Sequence, residues 1–437
     1  MEWIDHLFAW VSPAIEGDYP HLFELYRYLH ANPELSGEEE KTAMRLAAEL
    51  ESAGFQVTRN VGGHGVVALY RNGDGPTIMV RADMDALPVR EATLLPYAST
   101  VRGRDSEGRE VDLMHACGHD IHTTVLVGTA RMLMQCRDGW RGTVLLIGQP
   151  AEETGKGAER MIKDGLFSRF PRPDSILALH VAPPLPAGMV AYSDGYAMAG
   201  CASLELRIRG VGGHGSRPHE TKDPVVLAAE TVLLLQTVIS REIDPMETAV
   251  LTVGSIHGGS RSNIIPDDVL LELNYRYFKE KVDRQIRSAI ERIAKGAAIA
   301  SGVPEDRMPL LTTIMTGPPV LNDSGLTSRL SALFSRILGE ENVQKVPPMS
   351  ASDDFSHFGL EEPAIPLFYF FLGASDREKI RKCTKDDISS PGIHNPFFAP
   401  AAEPTIRTGV EAMTCAVLDL LAVSEDLLLP ETGEIVV

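Results

Sequence analysis

The 437-residue chain has few cysteines and no long apolar run. Its five cysteines, Cys117, Cys136, Cys201, Cys383 and Cys415, are odd in number and widely spaced, which excludes a dense disulfide framework and fits a reducing compartment. No apolar run approaches the roughly 20 residues of a spanning helix. The opening Met1-Glu2-Trp3-Ile4-Asp5-His6 lacks the basic start and apolar core of a signal peptide, so a cytoplasmic protein is expected. Positive charge is in deficit: 41 Lys and Arg against 60 Asp and Glu give a formal charge of -19. Nucleic acid and anionic membranes attract basic faces, so neither is the expected partner, and a small-molecule substrate fits better. Low-complexity tracts and internal repeats are missing too, which leaves no reason to expect a disordered arm or a solenoid.

What is present is ordinary globular composition, 44% hydrophobic and 23% charged, in a chain long enough that two domains are expected. Ser36-Gly37-Glu38-Glu39 has the Ser-x-x-Glu form of a capping box and predicts a helix through Leu46, Leu50 and Ala53 that stops at Gly54. Continuous apolar runs near residues 77–80, 143–147, 176–179 and 365–371, separated by helical patterns, read as strands of a buried, largely parallel sheet. Between them, Leu204, Leu206 and Ile208 alternate with Glu205, Arg207 and Arg209, the period of a sheet with one wet face. From there the pattern runs helix 223–241, strands 249–256 and 269–278, helix 280–300 and strand 310–314. That order is βαββαβ, the ferredoxin-like arrangement. The expected fold is therefore α/β, a large mostly parallel sheet domain with helices on both faces. Residues 1–190 and 316–437 form it, and a ferredoxin-like lid or dimerisation domain is inserted at 191–315. A last helix over 403–423 and an acidic tail complete the chain.

The chemistry concentrates in two clusters. His115-Ala116-Cys117-Gly118-His119-Asp120-Ile121-His122 packs a thiol and three imidazoles into eight residues, and Gln149-Pro150-Ala151-Glu152-Glu153 follows an apolar run. Thiolate, neutral imidazole and carboxylate are the side chains that hold zinc or a comparable first-row ion. Ligands of open α/β sheets gather outside the carboxyl ends of the strands. Glu152 and Glu153 sit just past the 143–147 strand, His180 closes another, and His394 lies in a loop after the 365–371 strand. Each also has a plainer reading. Cys117 alone would be an inert buried thiol, the two glutamates solvated charges at a helix start, and His115 and His122 supports rather than ligands. Neighbouring side chains diverge, so Glu153 is assigned to the metal and Glu152 to the proton of the attacking water. The glycine-rich Gly210-Val211-Gly212-Gly213-His214-Gly215 lacks the Gly-Lys-Ser/Thr ending of a phosphate loop; it reads either as a turn or as a mobile loop presenting His214.

Further ordered motifs run through the chain: Leu29-His30-Ala31-Asn32-Pro33-Glu34, Arg81-Ala82-Asp83-Met84-Asp85-Ala86-Leu87-Pro88, Arg217-Pro218-His219, Asn263-Ile264-Ile265-Pro266-Asp267 and Ile393-His394. With the two clusters, they make the chain resemble the two-metal aminoacylase and carboxypeptidase family. Within it the match is to the amidohydrolase subfamily of hippurate hydrolases and indole-acetyl-amino-acid hydrolases. The resemblance implies that Cys117, His119, Glu153, His180 and His394 bind two divalent ions (Mn, Zn, Co or Ni), with Glu152 as general base and acid. It also implies a homodimer in which His214 reaches the partner's site to steady the oxyanion, while Asn263 and Arg276 hold the substrate carboxylate. Two departures stand out: Ile121 where a Gly is usual, and Asp353 for the common Glu in Ser352-Asp353-Asp354-Phe355. Ile121 is expected either to narrow the acyl pocket or to shift the loop beside the metals. The expected activity is hydrolysis of the amide of an N-acyl amino acid or related small conjugate. The alternatives are a metallo-carboxypeptidase or dipeptidase, a metal-free hydrolase with Cys117 as nucleophile, and a non-catalytic small-molecule binding protein.

Overall fold

The computed structural model describes residues 2–378 and 391–421, so Cys383 and the acidic tail lie outside the described residues. The chain forms two compact units: Met1–Ala197, Leu321–Pro347 and Asp354–Val437 in the larger, Met198–Val320 with Pro348–Asp353 in the smaller.

The larger unit is built on an eight-stranded sheet. At its centre lie four parallel neighbours, Gly142–Gln149, Thr77–Asp83, Ser175–Pro186 and Leu367–Ser375, formed by the four apolar runs. Their side chains are buried on both faces, which is why they read as continuous apolar stretches. Alternate residues such as Val80, Leu146, Leu177 and Phe370 join one core with the helices Glu2–Ala31, His119–Gln135, Ser324–Leu338 and Ala402–Leu420. The opposite face is covered by the Gly157–Lys163 helix and the Asp354–Gly359 turn. Antiparallel strands flank this centre. The Gln56–Val61 and Gly65–Asn72 hairpin extends one side, and Val190–Tyr192 followed by Val343–Lys345 extends the other.

The helix read from residue 36 onward forms as Glu40–Ser52, with Gly54 beyond it at φ 99, but its capping box does not. Glu34 takes that role, its carboxylate accepting from the Lys41 and Thr42 amides at 3.2 and 2.8 Å. Once Glu34 satisfies the open helix end, Ser36 and Glu39 are released to bond elsewhere, and both turn toward the residues behind the candidate site.

In the smaller unit, Ala249–Gly258, Asp268–Tyr277, Gly200–Arg209 and Leu310–Gly317 form an antiparallel sheet in that spatial order. Leu204, Leu206 and Ile208 point into its core together with residues of the Pro224–Thr237 and Glu280–Ala300 helices. The chain order is βαββαβ, as the alternation predicts. One exclusion drawn from the sequence needs amending: Pro224–Glu242 is long and apolar enough, by composition, to cross a membrane. Its Leu227, Ala228, Leu235 and Val238 are instead packed in the small unit's core, while Val225, Val226, Leu233 and Leu234 stay exposed.

Candidate metal centre

The centre sits at the carboxyl ends of the parallel strands, where side chains from different crossovers can meet. Asp83 ends one strand in register with Gln149 of the next. The chain then turns sharply through Ala151, a non-glycine residue at φ 54, and Gly157, where a Cβ would lie 1.7 Å from the Pro150 carbonyl oxygen. That turn delivers Glu152 and Glu153. His180 pairs with Phe371 two residues past the point where the Thr77–Asp83 ladder ends at Ala178, so it lies inside its strand rather than closing it. Cys117 and His119 flank Gly118, which adopts φ 83 at the helix start. His394, itself at φ 62, is tied beside them by its amide, which donates to the Ala116 carbonyl at 2.7 Å.

These folds bring together six of the residues singled out from the sequence. Cys117 Sγ lies 3.5 Å from His180 Nε2 and 3.3 Å from His394 Nε2, and Glu153 Oε1 lies 3.4 Å from His394 Nε2. Three sets of donor atoms each fall within 4.8 Å of one another: Cys117, His119 and His180; Cys117, Glu153 and His394; and His119, Glu152 and Glu153. His214, Asn263 and Arg276 belong to the smaller unit. His214 is exposed on a two-residue strand paired with Ile264–Ile265, beside Asn263. Arg276 lies on the Asp268–Tyr277 strand and bonds the Ser352 hydroxyl.

Hydrogen bonds assign the imidazoles. His180 Nδ1 donates to the Val181 carbonyl at 2.8 Å, which turns the Nε2 lone pair toward Cys117. His119 Nδ1 faces Asp85 Oδ1 at 3.2 Å, and its Nε2 is buried without a hydrogen-bond partner, 3.7 Å from Asp83 Oδ2 and 3.9 Å from Glu153 Oε1. Carboxylate behind, open nitrogen in front is the arrangement that orients a ligating histidine. His122 differs: its Nε2 accepts from the Val181 amide at 2.9 Å and its Nδ1 donates to Asp83 Oδ1 at 2.6 Å, so both nitrogens are spent.

The sequence motif alone assigns Asp83 and Asp85 no role. The strand end turns both carboxylates inward, where they carry the site from behind. Burial pushes each toward neutrality, but histidines overrule it. His119 and His122 with Arg81 hold Asp83 well below its ordinary range, and His119 with the Ser36 hydroxyl lowers Asp85. Fully buried Arg81 bonds Asp83 Oδ2 at 2.8 Å, Gln149 Oε1 at 2.8 Å and Asp354 Oδ1 at 3.2 Å. Removing one partner of such a network strands a buried charge.

The same fields act on the donors. Burial drags His119 down, yet Asp83, Asp85 and Glu153 raise it to about 10, so this nitrogen calls for a cation. Burial lowers His180 to about 3, keeping it neutral and able to donate a lone pair. Burial and the nearby Glu153 raise the Cys117 thiol well above its usual range. A nucleophilic cysteine needs the opposite shift, which disfavours the metal-free thiol reading. Thiolate, neutral imidazoles and carboxylates converging on one space are a donor set that fits divalent first-row ions.

A strand-end centre of this composition, in an α/β unit joined to a βαββαβ unit, defines the class: a metal-dependent hydrolase of amide bonds. A sequence profile of Peptidase family M20/M25/M40 matches residues 79–419, and the chain belongs to that family. Over 378 residues it is 34% identical to IAA-amino acid hydrolase ILR1-like 4 of Arabidopsis thaliana, covering 85% of this chain and 79% of the relative. Over 357 residues it is 35% identical to N-acetyl-L-cysteine deacetylase of Bacillus subtilis, covering 80% of each. Among solved structures it resembles the Bacillus subtilis YXEP protein, a dinuclear metal binding peptidase of the M20 family. The two share 27% identity at a TM-score of 0.72, over 93% of this chain and 99% of that one.

Proposed function

We propose that the chain hydrolyses the amide bond of N-acyl amino acids or closely related small conjugates. Cys117, His119, Glu153, His180 and His394 are the residues that would hold two divalent ions. The observation that carries this reading is the convergence of those donors, each set within 4.8 Å, with Glu152 in the set formed by His119 and Glu153. Bound divalent ions would supply Lewis acidity toward the scissile carbonyl and acidify water.

The chain's own residues do the rest. Glu152 takes a proton from the attacking water as its oxygen bonds to the carbonyl carbon, then delivers that proton to the nitrogen as the C–N bond breaks. Free acid and free amine leave. His214 steadies the oxyanion, and Asn263 and Arg276 engage the substrate carboxylate from the smaller unit, which serves as lid and dimerisation domain. A homodimer that delivers His214 to its partner's site is supported by the exposed Val225, Val226, Leu233 and Leu234 of the small unit's helix. Val250 and Ile256 on the edge strand of the same unit are exposed as well. Action in a reducing cytoplasm agrees with Cys117 as a ligand and with free Cys136, Cys201 and Cys415.

The test is a substrate panel of acetyl, benzoyl and indole-acetyl amino acids with dipeptides alongside, assayed before chelation, after it, and after return of Mn, Zn, Co or Ni. Turnover of the acyl amino acids that vanishes on chelation and returns with metal is expected. Faster cleavage of dipeptides would move the reading to a peptidase, and full activity in chelator would sink it. Light scattering on the same preparation reads the assembly, for which a dimer is expected.

A further inference from the structure

We infer that Glu39 is a positioning residue that sets Glu152 for proton transfer by clamping the amide of Ala151. This rests on the assignment of Glu152 as general base. Glu39 is fully buried, and its Oε1 accepts from two amides of distant segments, Gly37 at 2.7 Å and Ala151 at 2.8 Å. Ala151 is where the chain holds φ 54, a left-handed conformation that is sterically unfavourable for a residue with a Cβ. The Ala151 carbonyl is held within the turn by the Thr154 hydroxyl at 3.0 Å and the Gly157 amide at 3.2 Å. The Glu39 bond is therefore the restraint on the amide side, the side that fixes φ, and losing it loosens the turn from which Glu152 projects.

A second clamp acts two residues on. The Glu153 amide donates to Asp85 Oδ2 at 3.0 Å, and the Ser36 hydroxyl donates to that same oxygen at 2.6 Å. Glu152 therefore lies between two pinned amides, one held by Glu39 and one by Asp85, and the 36–39 segment reaches both. Asp85 already serves His119, so its place in the centre is accounted for. Among the described residues, no hydrogen bond joins Glu39 to a donor of the centre. Burying a carboxylate is expensive, and the helix that follows has its end satisfied by Glu34. Holding the Ala151 turn is the task left for it.

Reach matters more than charge in such a clamp. Glu39→Gln keeps a carbonyl oxygen at the same distance, whereas Glu39→Asp keeps the charge but is one methylene too short to serve both amides. The experiment measures kcat, KM and metal content for Glu39→Ala, Glu39→Asp, Glu39→Gln and Glu39→Ala with Ala151→Gly. Glu39→Ala is expected to lower kcat by roughly 10- to 100-fold, the range typical of residues that orient a site from behind, with KM within about twofold and metal content unchanged. Glu39→Gln should retain more turnover than Glu39→Asp. Adding Ala151→Gly should restore part of the alanine variant's loss, because glycine takes positive φ without steric cost.

A merely structural role would leave that last step without effect. Glu49→Gln serves as the control: it removes the charge that pairs with Arg45 of its own helix and faces His21 of the Glu2–Ala31 helix, and should change stability but not kcat. Wild-type kcat in Glu39→Ala, a loss that Ala151→Gly leaves untouched, or Glu39→Asp outperforming Glu39→Gln would each overturn the inference. If the alanine variant does not fold, the order of Asp and Gln still decides. Glu152→Gln measured alongside separates the two layers. Turnover surviving in it removes the base assignment, while a dead Glu152→Gln beside a fully active Glu39→Ala removes only the positioning role.

Discussion

His30 is buried with both ring nitrogens on carboxylates, Nδ1 at 2.7 Å from Asp120 Oδ2 and Nε2 at 3.0 Å from Glu91 Oε1. Burial alone would lower its pKa, but the two carboxylates outweigh it and raise the value from 6.5 to about 9. Folding therefore binds a proton between those values. The stabilisation is complete below about pH 6.5 and is lost as pH rises through about 9, worth up to about 3 kcal/mol. His30→Gln should thus cost more stability near pH 6 than near pH 9.5 in urea unfolding; an equal loss at both would contradict the buried charge. Site residues differ in how well spacing reveals them. Cys117 with His119, and Glu152 with Glu153, stand out because ligating types cluster in sequence. His180 and His394 needed the strand-end argument. Asp83, Asp85 and Glu39 were not assigned, because a carboxylate's role behind a site depends on which amide or imidazole it meets in three dimensions.

Elements whose pattern repeats over many residues were legible. Four double-buried strands and the βαββαβ alternation follow directly from burial on two faces or one. Three-residue strands such as Val190–Tyr192 and Val343–Lys345 are too short to show a period, and the Gln56–Val61 hairpin strand has a mostly exposed surface. The false capping box shows the limit of local signals, since the helix starts later than Ser36 implies and Glu34 takes the Lys41 and Thr42 amides at its open end. Ile121, expected to border the acyl pocket or shift the loop, is fully buried in the His119–Gln135 helix as part of the main core, which favours a packing role. Ile121→Ala should therefore cost about 2–5 kcal/mol in unfolding experiments and leave the ratio of KM values for small and bulky acyl groups unchanged. A widened acyl preference with stability intact would return Ile121 to the pocket.

At the scale of the whole molecule, charge and composition by themselves narrow the partner. An excess of 19 negative charges disfavours polyanions, and family membership then gives metal-dependent amide hydrolysis as the reaction. What composition leaves open is the acyl group, because selectivity depends on pocket shape rather than on the metal-binding residues. The account as a whole depends on one division of labour between adjacent residues, Glu153 with the metal-binding set and Glu152 with the proton. The most direct measurement is turnover of Glu152→Gln at verified metal content. The prediction is two equivalents of divalent ion retained and kcat lowered by on the order of 10²- to 10⁴-fold. Full metal content with near-normal turnover would contradict it.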